Sequence, residues 1–100
     1  MYSYIYFMSN TNNNVLYIGV TSDLEKRVWE HKNNVNKRSF TYKYNCNKLV
    51  YYEAFGDIKY AIEREKQLKN WKRDWKNDLV SKDNPDWLDI DLGDCGSSPQ

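Results

Sequence analysis

A short run of alternating side chains, followed by an asparagine-rich segment and a second apolar run, constrains the fold of this chain most. Residues 2–8 (YSYIYFM) alternate tyrosines with Ser, Ile and Phe, and a period of two is typical of a β-strand. Residues 15–20 (VLYIGV) resemble a second strand, and the intervening 9–14 (SNTNNN) is rich in residues that favour turns. The sequence therefore predicts a β-hairpin, and we place Met8 opposite Val15.

That register brings two tyrosines together. With Met8 opposite Val15, Tyr6 lies directly opposite Tyr17, so two phenols share one face of the sheet. A cross-strand aromatic pair contributes ~0.2–1 kcal/mol, which is a sufficient structural reason for both. Gly19 lies on the Tyr17 face, where a strand glycine indicates either close approach of a ligand or backbone, or a bulge before the next helix.

A helix with an unusual buried face follows the hairpin. Residues 21–32 (TSDLEKRVWEHK) predict a helix with Ser22 as its N-cap and Glu25 completing a capping box. Helical spacing places four side chains on one face: Leu24, Arg27, Val28 and His31. Arg27 and His31 are one turn apart, and polar groups on such a face need water or an anionic partner. Both could approach the same ligand.

A third strand and a charged helix come next. Residues 48–55 (KLVYYEAF) are typical of a strand, and Asp57 can cap the helix after it. The expected buried stripe of that helix comprises Ile58, Ala61, Ile62, Leu68 and Trp71. Glu65 lies on this stripe, whereas Glu63 points away. A carboxylate at an apolar face requires a cationic partner or a metal ion.

The remaining segments have weaker patterns. Residues 33–47 are predicted to be irregular, and their aromatic residues suit either packing on the core or contact with nucleic acid. The cations interleaved with them, and expected to contact nucleic acid together with Gly19, are Lys37, Arg38 and Lys43. Residues 72–80 continue as a helix, Asn84 caps a short last helix, and residues 92–100 form a disordered polar tail.

These elements predict one α+β domain over residues 1–91, with a small three-stranded antiparallel β-sheet packed with helices. The chain has 100 residues, which suits one domain. Its N-terminus does not have the pattern of a signal peptide, and no apolar run spans a bilayer, so we expect a cytoplasmic protein. Cys46 and Cys95 are expected to be unrelated reduced thiols.

The charge is distributed unevenly along the chain. The net charge is +1, yet residues 83–100 contain five acids and no Lys or Arg. Residues 1–82 therefore hold all 15 bases against nine acids, a net charge of +6. A basic body of this kind fits a polyanionic partner or simply a set of solvated lysines.

Five polar side chains occupy positions where periodicity predicts the core or the sheet: Tyr6, Tyr17, Arg27, His31 and Glu65. Together they suit phosphodiester hydrolysis. Arg27 can neutralise the transition state, and Glu65 can hold one divalent cation. Tyrosine is a poor base at its reference pKa of ~10, but a nearby cation and metal favour the phenolate, so Tyr17 can take a proton from water.

The same residues resemble the GIY-YIG nuclease superfamily, and in particular a small stand-alone bacterial branch related to the nuclease domain of excinuclease C. YIY at 4–6, YIG at 17–19 and the helical residues Arg27, His31 and Glu65 follow the family order. The resemblance covers residues 2 to about 91. Tyr4 stands where the first motif has glycine.

The resemblance implies a metal-dependent endonuclease acting on DNA, with branched, damaged or single-stranded DNA among its expected substrates. It implies one Mg²⁺ or Mn²⁺ ion held by Glu65, Tyr17 as general base and Arg27 as the transition-state arginine. Tyr6 would help to place water and phosphate, and His31 would contact phosphate or relay a proton. Many relatives also carry an asparagine after the metal-binding helix, for which Asn77 and Asn84 are the candidates.

Two other interpretations remain open on sequence alone. In one, the same pocket binds nucleic acid without cutting it. In the other, the chain is a structural domain rich in aromatic residues, and Glu65 forms an ion pair with Arg27 inside the core.

Overall fold

The computed structural model describes residues 2–33, 38 and 40–92, and it has the predicted α+β architecture. The elements in chain order are β1 (Ser3–Ser9), β2 (Leu16–Thr21), α1 (Leu24–Lys32), α2 (Phe40–Lys43), β3 (Lys48–Phe55), α3 (Ile58–Lys69) and α4 (Arg73–Asp83). The three strands form one antiparallel sheet in the order β2-β1-β3, which confirms the predicted sheet.

The hairpin register differs from the prediction by two residues. Met8 lies opposite Tyr17, and Tyr6 lies opposite Gly19, so our pairing of Met8 with Val15 was wrong. A shift by two leaves every side chain on its predicted face, because the side-chain period of a strand is two. Tyr6 and Tyr17 therefore still share a face, as diagonal neighbours.

The loop between β1 and β2 explains this shift. The last pair of the ladder is Ser9 with Leu16. The side-chain oxygen of Asn10 accepts hydrogen bonds from the backbone N–H groups of Asn14 and Val15, at 3.0 and 3.1 Å. This asparagine closes a loop over residues 10–15, which has the same length as the predicted turn at 9–14 but lies one residue further along the chain, since its side chain replaces the hydrogen bonds of a backbone turn.

Helix α1 begins one residue later than predicted. Its N-cap is Asp23, whose carboxylate accepts from the backbone N–H of Lys26 at 3.2 Å, so the capping box at Ser22 was wrong. The hydroxyl of Thr21 accepts from the N–H of Asp23 at 3.0 Å. A carboxylate next to the helix end interacts favourably with the helix dipole, which favours Asp23 as the cap.

Asp57 caps α3 as predicted, by accepting from the N–H of Lys59, but the buried stripe is narrower than expected. Ala61 and Leu68 are fully buried, whereas Ile58 and Ile62 are exposed. The helix ends at Lys69, and α4 starts at Arg73 after a break, so the two helices are not continuous.

Two further expectations were wrong. Residues 33–47 are not wholly irregular, since they include the short helix α2 (Phe40–Lys43). Asn84 does not begin a last helix: it is the C-cap of α4, and its side chain hydrogen-bonds the backbone of Val50 and Leu88. The segment after Asn84 is held by these bonds in an irregular path.

The sheet separates two apolar clusters. On one face, Ile5 and Phe7 of β1 pack with α3 and α4. On the other face, Tyr6 and Met8 pack with α1. Because α1 and α3 lie on opposite faces, a residue of α3 reaches the Tyr6 side only past a sheet edge.

None of the helices in the described part of the chain has the length and apolar character that a bilayer span requires. Cys46 is a buried free thiol. Cys95 and the predicted tail beyond Leu92 lie outside the described residues.

Candidate active site

A chain of hydrogen bonds links three elements on the α1 face of the sheet. The hydroxyl of Tyr6 on β1 lies 3.0 Å from Nε2 of His31 on α1. Nδ1 of the same imidazole lies 2.7 Å from Oγ1 of Thr41 on α2. Tyr6 and Thr41 are buried and His31 is half-buried. Both nitrogens of His31 thus have partners, which fixes the orientation of the ring.

Tyr17 on β2 completes a cluster of three rings. Its ring centroid lies 6.1 Å from that of Tyr6 and 5.7 Å from that of His31. These separations fall in the range of favourable edge-to-face and tilted aromatic contacts. The sequence placed the two tyrosines on one face of the sheet and His31 on the inward face of the next helix, and the structure brings the three rings into contact.

Gly19 makes room for this cluster. A Cβ at Gly19 would lie 2.5 Å from the hydroxyl oxygen of Tyr6 and 2.9 Å from the ring of Tyr17. The close approach that a strand glycine indicates is therefore made by Tyr6 itself, rather than by a bulge. Any side chain at this position would displace the Tyr6 hydroxyl from His31.

Arg27 lies beside the rings with its charge loosely paired. Its side chain is 48% exposed and stands 3.8 Å from Glu30, one helical turn on. An exposed pair at this distance contributes at most about 1 kcal/mol. The guanidinium can therefore turn to an anionic ligand without losing a strong internal bond.

Glu65 on α3 is held inward, as predicted, while Glu63 is exposed. The side chain of Glu65 is 20% exposed, and Oε2 lies 3.3 Å from Nζ of Lys69. The ion pair between Glu65 and Arg27, expected in the structural alternative, is not formed, because each residue pairs within its own helix.

Arg27 and Glu65 act in opposite senses on one phenol. Burial raises the pKa of Tyr6, and Tyr17 raises it further; Arg27 lowers it and Glu65 raises it. Both charged groups are thus near enough to Tyr6 to affect its ionisation. The phenol of Tyr6 is a proton donor at neutral pH.

The imidazole of His31 is neutral at the same pH. Burial lowers its pKa first and the positive charge of Arg27 lowers it further, while Glu30 partly opposes them. A neutral imidazole has one nitrogen that donates and one that accepts, so it can pass a proton between Tyr6 and Thr41 or to a bound anion.

Glu65 offers a single carboxylate to a hard divalent cation. Within the described residues, no group of three or more His, Cys, Asp and Glu side chains is arranged to hold a metal. Mg²⁺ is commonly bound by one or two carboxylates and keeps several waters, so the single carboxylate of Glu65 suits it. Lys69 would give up its ion pair in exchange.

The other residues singled out from the sequence have other contacts or lie outside the described chain. Lys37 is outside the described residues. Arg38 is exposed, and Lys43 stands over the ring of Tyr44 at 5.4 Å. Asn77 accepts a hydrogen bond from Arg73 at 2.8 Å.

Thr41 is the site residue that the sequence patterns did not reveal. It lies ten positions beyond His31, in a segment that we predicted to be irregular. The only sequence signal was a lone threonine between aromatic residues, since a four-residue helix has too few turns to show periodicity.

Known proteins resemble this chain over most of its length. The model of the GIY-YIG catalytic domain matches residues 2–78. A UPF0213 protein of Haloquadratum walsbyi is 32% identical over 81 residues, which cover 81% of this chain and 89% of that protein. A UPF0213 protein of Staphylococcus saprophyticus is 34% identical over 79 residues, covering 79% and 94%.

A solved structure is similar as well. The solution NMR structure of a UPF0213 protein from Bacillus halodurans superposes with a TM-score of 0.55 at 25% identity, covering 87% of this chain and 90% of that one. The designation UPF0213 names no reaction, so the link to nuclease chemistry comes from the domain match. The chain belongs to the GIY-YIG nuclease family and groups with its small stand-alone members.

Proposed function

We propose that the chain is a divalent-metal-dependent endonuclease that hydrolyses phosphodiester bonds in DNA. The observation that supports this most is the ring cluster of Tyr6, Tyr17 and His31, with its 3.0 Å hydrogen bond. A loosely paired arginine and an inward carboxylate both act electrostatically on Tyr6. These two charges are not paired with each other, since Arg27 pairs with Glu30 and Glu65 with Lys69 along their own helices.

In the proposed reaction, Tyr17 acts in its phenolate form and accepts a proton from the attacking water. The water oxygen bonds to phosphorus as the bond from phosphorus to the leaving oxygen breaks. Tyr6 keeps its own proton, because burial raises its pKa, and it donates a hydrogen bond that orients water or a phosphate oxygen. Arg27 neutralises charge on the non-bridging oxygens as it develops. His31, neutral and oriented by Thr41, contacts phosphate or relays a proton.

Glu65 is the proposed ligand of one Mg²⁺ or Mn²⁺ ion. When bound, such an ion would polarise the phosphoryl group and offset charge on the leaving oxygen. The expected substrates are branched, damaged or single-stranded DNA, and the basic cations Arg38 and Lys43, with Lys37 and Gly19, are proposed to contact the nucleic acid.

A matched pair of carboxamide variants tests the proposal. Purified parent, Glu65→Gln and Glu63→Gln are incubated with supercoiled plasmid, single-stranded DNA and RNA, with Mg²⁺, Mn²⁺ or EDTA. We expect metal-dependent nicking of DNA by the parent and by Glu63→Gln. Loss of the carboxylate charge at Glu65 should reduce the rate by at least about 100-fold, as for other electrostatic groups in active sites.

Other results would contradict the proposal. Undiminished cutting by Glu65→Gln would place the metal elsewhere, and cutting in EDTA would exclude a metal-dependent reaction. Binding of DNA by all three proteins without cutting would favour the non-cleaving binding module.

A further inference from the structure

A second pocket lies on the opposite flank of α1 from the candidate active site. Its open cavity measures about 400 Å³ and is lined in part by Tyr2, Tyr4 and Tyr52. Glu25 borders the same cavity. Glu25 and Arg27 lie roughly 160° apart around the helix, so the two sites face different sides of α1.

The walls of this pocket are aromatic and meet at a corner. The rings of Tyr4 on β1 and Tyr52 on β3 are 6.2 Å apart and inclined at 68°. Tyr2 and Tyr52 are both exposed. Rings inclined in this way form adjacent walls rather than a flat stack, and the exposed rings of Tyr2 and Tyr52 are accessible to an organic cation, which aromatic faces attract.

Two carboxylates stand at the rim. Asp23 uses one oxygen to cap α1, at 3.2 Å from the N–H of Lys26. Glu25 has neither a hydrogen bond nor an ion pair within the part of the chain that the structure describes. No lysine or arginine among the described residues lines the cavity. Negative charge beside aromatic faces repels phosphate and favours a cation.

A second open cavity of about 500 Å³ continues the pocket along α1, sharing Glu25 and Leu92. It adds the exposed Trp29 and the acids Asp89 and Asp91, with Lys32 tied to Asp89. Along α1 the two cavities border residues from Leu24 to Lys32. That is roughly 12 Å at ~1.5 Å per helical residue, which matches about three or four residues of an extended peptide at ~3.3 Å each.

We propose that this groove binds a basic peptide segment of a protein partner, with one lysine or arginine side chain inserted among Tyr2, Tyr4 and Tyr52 and paired with Glu25. The charge complementarity supports this choice of occupant: aromatic rings line the cavity and carboxylates border it, on a flank turned away from Arg27. The inference does not depend on nuclease activity.

The test uses a capped Gly-Arg-Gly peptide and its citrulline analogue, which has the same shape without the charge. Binding is followed by NMR shifts of backbone amides in the full chain. We expect shifts centred on residues 22–25 and about five- to tenfold tighter binding of the arginine peptide, the size expected of a cation over exposed aromatic rings with one carboxylate. Equal binding of the two peptides would overturn the proposal.

Matched variants locate the site. Glu25→Gln and Tyr52→Leu should each weaken binding of the arginine peptide at least about threefold. Glu63→Gln and Tyr60→Leu, which change exposed residues of the same types elsewhere, should not. Thermal melting checks that Tyr52→Leu folds. If Tyr52→Leu does not fold, the affinity of Glu25→Gln for the arginine peptide decides the test. Unchanged affinity in Glu25→Gln would overturn the proposal.

Two further arms exclude other occupants. Tighter binding of spermidine or tetramethylammonium than of the arginine peptide would assign the pocket to a free small cation and overturn the proposal. Concentration-dependent dimerisation that shifts the same amides would assign it to a second copy of the chain, with the same consequence.

Discussion

Tyr6 and Tyr51 are buried tyrosines on opposite faces of one sheet, and their partners differ in a way that separates a candidate site from a structural network. Burial is the largest cause that raises the pKa of each. The hydroxyl of Tyr51 donates to Glu53 at 2.5 Å, and Glu53 also accepts from Arg64 at 2.9 and 3.1 Å. In that network the Glu53 carboxylate and the Arg64 guanidinium are paired with each other through two hydrogen bonds.

The network around Tyr6 contains no such two-bond pair. The cation that acts on Tyr6 is Arg27, and among the described residues it is paired only with Glu30, at 3.8 Å. A bidentate guanidinium is committed to its carboxylate, whereas a loosely paired one keeps its charge for a ligand. The raised pKa values of Tyr6 and Tyr51 therefore do not distinguish the two faces of the sheet. The strength of the ion pair formed by the arginine on each face does.

The largest expected effect on the nicking rate comes from replacing Arg27, and replacement of Arg64 provides the comparison. Arg27→Gln should reduce the nicking rate about 10²- to 10³-fold, because transition-state charge is no longer neutralised. Its unfolding free energy should change by less than about 0.5 kcal/mol, since an exposed ion pair contributes little. Nicking assays and urea unfolding measure the two quantities.

Arg64→Gln should show the reverse. It leaves Glu53 without its cation and should cost about 1–3 kcal/mol in unfolding free energy, with nicking retained in the folded fraction. If Arg64→Gln abolished nicking without loss of stability, the distinction between the two faces would be wrong.

The next effect concerns the space under Tyr6. Gly19→Ala places a methyl group 2.5 Å from the Tyr6 hydroxyl oxygen. We expect a loss of about 1–3 kcal/mol of unfolding free energy from overpacking, together with slower nicking. Gly56→Ala is the control, because nothing lies within 4 Å of a Cβ there, and it should stay within about 0.5 kcal/mol of the parent. Equal stability of the two variants would contradict the close approach of Tyr6 to the backbone at Gly19.

A smaller effect is expected at Thr41. Thr41→Val removes the hydroxyl opposite Nδ1 of His31, and Thr41→Ser keeps it. Loss of one hydrogen bond worth about 0.5–1.5 kcal/mol should slow nicking two- to tenfold in the valine variant only. The ¹⁵N shifts of the imidazole should also report a changed tautomer in that variant. A change in melting temperature with an unaltered imidazole would mean that Thr41 only packs.

The smallest effect is the pH dependence of stability. The folded pKa of His31 lies below its ordinary value, so below about pH 6.5 the unfolded chain binds the extra proton and unfolding is favoured. Stability should decrease as the pH falls through that range. Because the chain has one histidine, His31→Gln should lower this slope, measured by urea unfolding at pH 7 and pH 5. An unchanged slope would contradict the burial of a neutral imidazole.

Patterns with a strong period predicted the fold well. Alternation located the first strand, residue composition located the other two, and helical spacing placed His31 with the buried Leu24 and Val28. The same spacing predicted that Glu65 faces inward and Glu63 outward, as their burial in the structure shows. These features follow from local geometry, which a single sequence contains.

Features set by tertiary contacts were missed. The hairpin register depended on one asparagine side chain closing the loop, and α2 is too short to show a period. Asn84 serves as a C-cap because it bonds to Val50, 34 residues away. Thr41 joins the site only because its helix packs next to His31, which no local pattern indicates.

The central claim is that Glu65 holds a divalent cation beside the rings of Tyr6, Tyr17 and His31. Titration with Mn²⁺, followed by paramagnetic broadening of NMR signals, tests it without reference to cleavage. We predict broadening centred on residues 17–19, 27–31 and 64–66 in the parent and in Glu63→Gln, and its loss in Glu65→Gln. Broadening that persists at those residues in Glu65→Gln would contradict the claim.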